Sequence, residues 1–289
     1  NNVINFLKQE ELLMSDNQLI GLAEDFFQNS LDSSPTSAIM RGHKKYFDQI
    51  EELTEDQFQK EKETVDNFIQ RLNAIEKDNL TSREQVTHGM LEFALSSNQD
   101  SLLDRSWEFG AGVSGFTGFL IDYNQQMFVP DSESADMMLK RLELYKRLYT
   151  QIAEVQKEGL NNNRVATERN LLRTIDQLEN YLASSLDQDP LLLVNFSPEI
   201  SGSEISEWKD KAKNIIEANI RPTVSAYLDQ LKTEHLPKGR GDDKCGIMWI
   251  DGGEESYLRS LRKYTGHKAT TVKEVHEIGL SEIVQKKIR

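Results

Sequence analysis

Apolar residues recur at spacings of three and four over most of this chain, and no other feature constrains its fold as much. A stripe of that period is one face of a helix, and the face has to be covered by another element. The best of these stripes follows Asp131, with Met138, Leu142, Tyr145, Leu148, Tyr149, Ile152 and Val155 in phase and Gly159 closing it. A second runs from about Val165 through Leu171, Leu172, Ile175, Leu178 and Leu182, beyond Asn161-Asn162-Asn163. The pair predicts an antiparallel helical hairpin. Near the N-terminus Leu19, Ile20, Leu22, Ala23, Phe26 and Phe27 predict a helix that ends near Ser33-Ser34-Pro35, with a short one starting at Pro35.

Helix starts are marked chemically. Thr54-Glu55-Asp56-Gln57, Thr81-Ser82-Arg83-Glu84 and Thr271-Val272-Lys273-Glu274 each place a hydroxyl three residues before a side chain that can reach back to the backbone. The first opens a stripe of Phe58, Val65, Phe68, Leu72 and Ile75, and the second one of Val86, Met90, Leu91, Phe93 and Ala94. The third opens Val275, Ile278, Ile283, Val284 and Ile288, a stripe that requires a neighbour. A further long helix is predicted from Ser203 through Ile205, Trp208, Ala212, Ile215, Ile216, Val224, Leu228 and Leu231, kinked at Pro222 and stopping before Pro237.

Two stretches break the helical period. Gly110–Gly118 is rich in small residues that permit close backbone approach, and Pro237–Ser256 carries five glycines around the β-prone run Ile247-Met248-Trp249-Ile250. The expected fold is therefore mainly α: a helical array with one short β hairpin or strand near 245–257, an incomplete C-terminal end, and sub-lobes at 1–125 and 126–289.

Charge and composition exclude several functions. With 34 basic against 48 acidic residues the net charge is −14, which repels phosphate backbones and anionic lipid, and no nucleic-acid partner is expected. No run of apolar residues is long enough to span a bilayer. Cys245 is the sole cysteine, so no intrachain disulfide can form, and the expectation for it is a buried, inert thiol. The chain begins at Asn1-Asn2 without methionine and ends at Arg289 within a helical stripe, which reads as a piece of something longer. Asn79-Leu80-Thr81 and Asn195-Phe196-Ser197 have the form of glycosylation sequons.

Catalytic signatures are absent. A zinc helix of the H-E-x-x-H type begins at His276-Glu277 but meets Leu280 where the second histidine belongs, and His43, His88, His235 and His267 share no ligand spacing. Neither a G-x-S-x-G elbow nor a phosphate-binding glycine loop occurs. No catalytic residue and no metal ligand is assigned within these 289 residues. Arg240-Gly241-Asp242 matches the tripeptide read by integrins. Ile250-Asp251-Gly252-Gly253-Glu254-Glu255-Ser256-Tyr257 can be read as an extended edge that binds peptide through its main chain, or as a structural hairpin.

The order Glu234-His235-Leu236-Pro237, Asp251-Gly252-Gly253, Tyr257, Arg262 and Thr270-Thr271-Val272-Lys273-Glu274-Val275-His276-Glu277-Ile278-Gly279-Leu280 resembles the domain of unknown function 885 family. The resemblance is specific from about Leu236 to Ile283 and extends more faintly through the rest. It implies a secreted or periplasmic helical hydrolase similar to zinc peptidases, with this chain as the N-terminal portion. Zinc would then belong to the full-length protein, held by a metal helix beyond Arg289, with no cofactor in this chain. By resemblance Asp251, Gly252, Tyr257 and Arg262 hold a peptide substrate, and the remaining C-terminal half or a second chain is the protein partner. Ser256 stands where the family has a second tyrosine, and Thr265-Gly266-His267-Lys268 replaces its run of threonines. A non-catalytic helical module that binds a peptide or a partner subunit is the other reading.

Overall fold

In the computed structural model residues 18–111, 115–266 and 271–287 are described, and over them the protein is mainly α. Helix α1 covers 18–32, and α2 (Pro35–Met40) begins on the proline, whose missing N–H would have no partner in a first turn. α3 (Glu55–Asn73) starts behind Thr54, whose hydroxyl accepts from Gln57 N at 3.2 Å, while the Gln57 amide turns to Glu61 at 3.3 Å. α4 (Ser82–Asp104) has the complete reciprocal cap between Thr81 and Glu84. After the short α5 (Gly118–Ile121) and strand β1 (Phe128–Val129) comes α6 (Ser132–Asn161), capped by Asp131 on Ser134 N at 2.9 Å. Then follow α7 (Glu168–Ala183), β2 (Asn195–Phe196), α8 (Gly202–Ile215), α9 (Arg221–Gln230), α10 (Gly253–Thr265) and α11 (Val272–Lys287).

The chain forms two compact units, each assembled from separated stretches. The first takes 18–24, 62–105 and the described residues from 246 on, and the second takes 25–61 and 106–245 apart from the undescribed 112–114.

The second unit is built around α6. Met138, Leu142, Tyr145, Leu148, Tyr149 and Ile152 are all fully buried, and α8 and α9 pack along the helix. At about 2–5 kcal/mol for truncating one such leucine to alanine, this stripe holds a large share of the unit's stability. Where α6 ends, Gly159 passes so close to the backbone of Glu108 that a Cβ would collide with the Glu108 carbonyl. The Glu108 carboxylate meets the Arg164 guanidinium at 2.5 Å, with both side chains nearly sealed from water. β1 and β2 form a two-stranded parallel sheet with Phe128 opposite Asn195 and Val129 opposite Phe196.

Several expectations are corrected. Instead of packing chiefly on one another as a hairpin, α7 packs along α9 and the turn after it, and α6 along α8 and α9. The long helix begins behind Ser201, which makes a capping box with Glu204, rather than at Ser203. At the proline the helix continues, with a π turn over Ile216–Ile220 that precedes α9 and widens the ladder where Pro222 supplies no N–H, the local cause of the kind of bend expected there. A second π turn (Leu231–His235) leads into a 3₁₀ turn (Leu236–Lys238), so Pro237 lies inside the closing turn rather than beyond it.

No hairpin or strand forms among residues 245–257; the run holds a 3₁₀ turn at Ile247–Trp249, and another precedes it at Asp242–Lys244. Gly252 turns the chain with φ 69°, and Gly253 lies against the Ile247 carbonyl with no room for a side chain, which folds the run back on itself and starts α10. Of the stripe expected on α4, Leu91 is buried, together with Leu95, whereas Val86, Met90 and Phe93 are exposed. Cys245 is exposed rather than buried.

Two outcomes follow for the second unit. Gly159→Ala should destabilise it by about 1–3 kcal/mol or more, because a methyl group cannot be fitted against the Glu108 backbone; urea unfolding measures the loss. His235 is 3% exposed, and burial holds its pKa below the ordinary 6.5, with Lys157 and Lys238 acting in the same direction and Glu234 against them. The unfolded chain then takes up a proton that the folded one resists. Stability should be fully present above pH 6.5 and fall as pH drops through and below that value. The difference in urea midpoint between about pH 7.5 and about pH 5.5 should shrink in His235→Asn.

Candidate functional site

In the first unit α4 and α10 pack along one another, and a ladder of polar contacts sets their register. Asp104 accepts from Ser256 Oγ at 2.7 Å and from Arg259 Nε at 2.5 Å, and one turn back along α4 Asp100 accepts from Arg262 Nη2 at 3.2 Å. The spacing explains the fit. Residues 100 and 104 share one face of α4, while 256, 259 and 262 follow one face of α10. Ser256 is fully buried, so its hydroxyl needs the Asp104 carboxylate.

Beyond the Asp100–Arg262 pair the two helices part and leave a cleft of about 510 Å³. Gly89, Phe93, Ser96 and Ser97 of α4 form one wall, and Arg262, Lys263 and Gly266 close the other. Phe93 presents an exposed ring, Glu92 and Asp100 supply carboxylates, and Arg262 and Lys263 supply cations within one cavity. Gln99, also in the lining, is held by Asp66 of α3 at 3.0 Å. A site of this composition can hold an extended ligand by one aromatic contact and by hydrogen bonds to groups of both signs.

Of the residues singled out from sequence, Arg262 alone lines the cleft. Asp251 and Gly252 form the exposed turn before α10, and Tyr257 is 44% exposed outside the cleft lining. Neither the peptide-binding edge nor the structural hairpin read between Ile250 and Tyr257 forms, because α10 starts at Gly253. Asp100, Asp104 and Phe93 were missed. The acidic pair at 100 and 104 and the Ser256, Arg259, Arg262 series were available as a signal, but their partnership spans more than 150 positions.

Other motifs resolve into structure. Arg240 donates to the carbonyls of Val165 and Lys244 at 2.8 and 2.7 Å, and Asp242 pairs with Arg169 at 2.6 Å, so the Arg-Gly-Asp tripeptide is tied to the start of α7 as well as to its own loop. His276 and Glu277 are exposed on α11. Among the described residues no group of three His, Cys, Asp or Glu side chains is placed to hold a metal ion. Among the described residues, too, no helix is long and apolar enough to cross a membrane.

Fold and cleft together define a mainly α protein with a cleft of mixed polarity between two helices of its first unit. The chain belongs to the family described as bacterial protein of unknown function (DUF885), whose pattern matches residues 35–287. No curated protein matches it. Among solved structures it is similar to one described as the putative lipoprotein from Colwellia psychrerythraea, with a TM-score of 0.77 and 15% identity over 94% of this chain and 49% of that one. At that identity the likeness is one of fold, and this chain spans about half the length of that relative.

Asp104→Ala should leave Ser256 and Arg259 without their acceptor and cost about 2 kcal/mol of stability. Limited proteolysis should then release the α10 segment earlier than in the unaltered chain.

Proposed function

We propose that this chain holds peptide in the cleft between α4 and α10, as the substrate-channel portion of a peptidase-like member of its family. The observation that carries the reading is the cleft itself. An exposed aromatic ring, two carboxylates and two cations line about 510 Å³ beside the polar seam of α4 and α10. In this reading Phe93 stacks on an apolar side chain, Arg262 and Lys263 engage carbonyls or a carboxyl terminus, and Glu92 and Asp100 engage an amino group. Asp251, Gly252 and Tyr257 lie outside the cleft lining, and contact with a longer peptide is the role left to them.

The described residues offer no three-donor set, so no hydrolytic step is assigned to them. Zinc ligands and general base belong, on this proposal, to family sequence beyond Arg289. An extracytoplasmic setting accords with the lipoprotein description of the Colwellia relative.

Calorimetric titration with short unstructured peptides tests the reading. Saturable binding is expected, weakened about tenfold or more by Phe93→Ala and by Lys263→Ala, both of which change exposed side chains. Absence of saturable binding, or binding unaffected by both substitutions, would sink it. Elemental analysis of the natural gene product addresses hydrolysis separately. Bound zinc is expected, and its absence with peptide binding retained would leave a non-catalytic binding module.

A further inference from the structure

The helix α11 poses a problem that the cleft does not answer. Val272, Ile278, Leu280, Ile283 and Val284 are between 44% and 61% exposed on its sixteen residues, and Val275 is half-buried. At 100° per residue Val272, Val275, Leu280, Ile283 and Val284 fall within one half of the helix circumference, with Ile278 on the other side. Lys273, His276 and Lys286 fall within the same half, and Glu274, Glu277 and Glu282 lie outside it.

A helix of this length is marginal alone in water, even with the capping box that Thr271 and Glu274 form here. An apolar face half the circumference wide belongs to a helix that is covered on that side. The family pattern runs through residue 287, so α11 is part of the shared fold and not an appended tail. The Colwellia relative has about as much chain again outside the matched portion. The net charge of −14 weighs against a second copy as the cover.

We infer that the apolar surface of α11 is the docking face for the rest of the family fold, the polypeptide that this chain lacks and the relative carries. The contact would be made by an apolar-faced helical segment packing on Leu280, Ile283 and Val284. The inference does not depend on peptide binding in the cleft, and a failed peptide titration leaves it untouched.

Hydrogen exchange over 272–287, compared between the 289-residue chain and the gene product as the source cell makes it, provides the test. Exchange there should be at least about tenfold slower in the natural product. Leu280→Glu combined with Ile283→Glu should abolish that protection while leaving α6 as slow as before. These two side chains are exposed in the isolated chain, so the double variant should fold there normally and serves as its own control. Equal exchange in the two proteins, or a natural product that ends at Arg289, would overturn the inference. Protection that appears in the isolated chain only as its concentration rises would overturn it in favour of a second copy.

Discussion

α6 is enclosed along most of its length, and a helix in that position cannot leave a polar side chain unanswered. Arg141 is fully buried, and its guanidinium donates to the Gln49 carbonyl and, at 2.5 Å, to the Thr36 hydroxyl, which in turn donates to Glu51 at 2.6 Å. Gln151 accepts from Leu53 N at 3.0 Å, while Gln156 donates to the Gly110 carbonyl and accepts from the Tyr227 hydroxyl, both at 2.7 Å. Tyr145 and Tyr149 donate to the carbonyls of Phe119 and Phe116. These bonds pin irregular segments of the second unit onto one rod, and an unmade one would cost about 1–3 kcal/mol.

The same demand explains two buried ion pairs. Asp189 is fully buried and gives one carboxylate oxygen to Arg221, at 3.0 Å from Nη2, and the other to Leu191 N at 3.1 Å. Glu108 and Arg164 close the end of α6, where Gly159 lets the backbones meet. Such pairs add little net stability over apolar replacements but penalise any arrangement in which one partner is missing. They specify how the loops lie on the helices more than they hold them there.

In the first unit the polar ladder of α4 and α10 does two things at once. Asp104, with Ser256 and Arg259, seals one end of the seam, and Asp100, with Arg262, stands at the edge of the cleft, where a ligand can compete for both charges. A seam rigid at one end and open at the other is suited to holding a ligand without remodelling the helices.

Local features were legible in the sequence because their physics is local. The caps at Thr81 and Thr271 join residues three apart, and Pro35 and Asp131 start helices by their own chemistry. The stripe of α6 was legible too, since a face that long has to be buried. Periodicity shows that a face exists without showing what covers it, so Val86, Met90 and Phe93 read as core and stand in water. The run Ile247–Ile250 has strand propensity, but the close approach at Gly253 decides its path. Helix content, helix starts and the charge that turns nucleic acid away were thus determined by the sequence alone. The partners of α4, the π turns around Pro222 and the cleft at Arg262 were decided only by tertiary structure, because each depends on side chains brought together from distant positions.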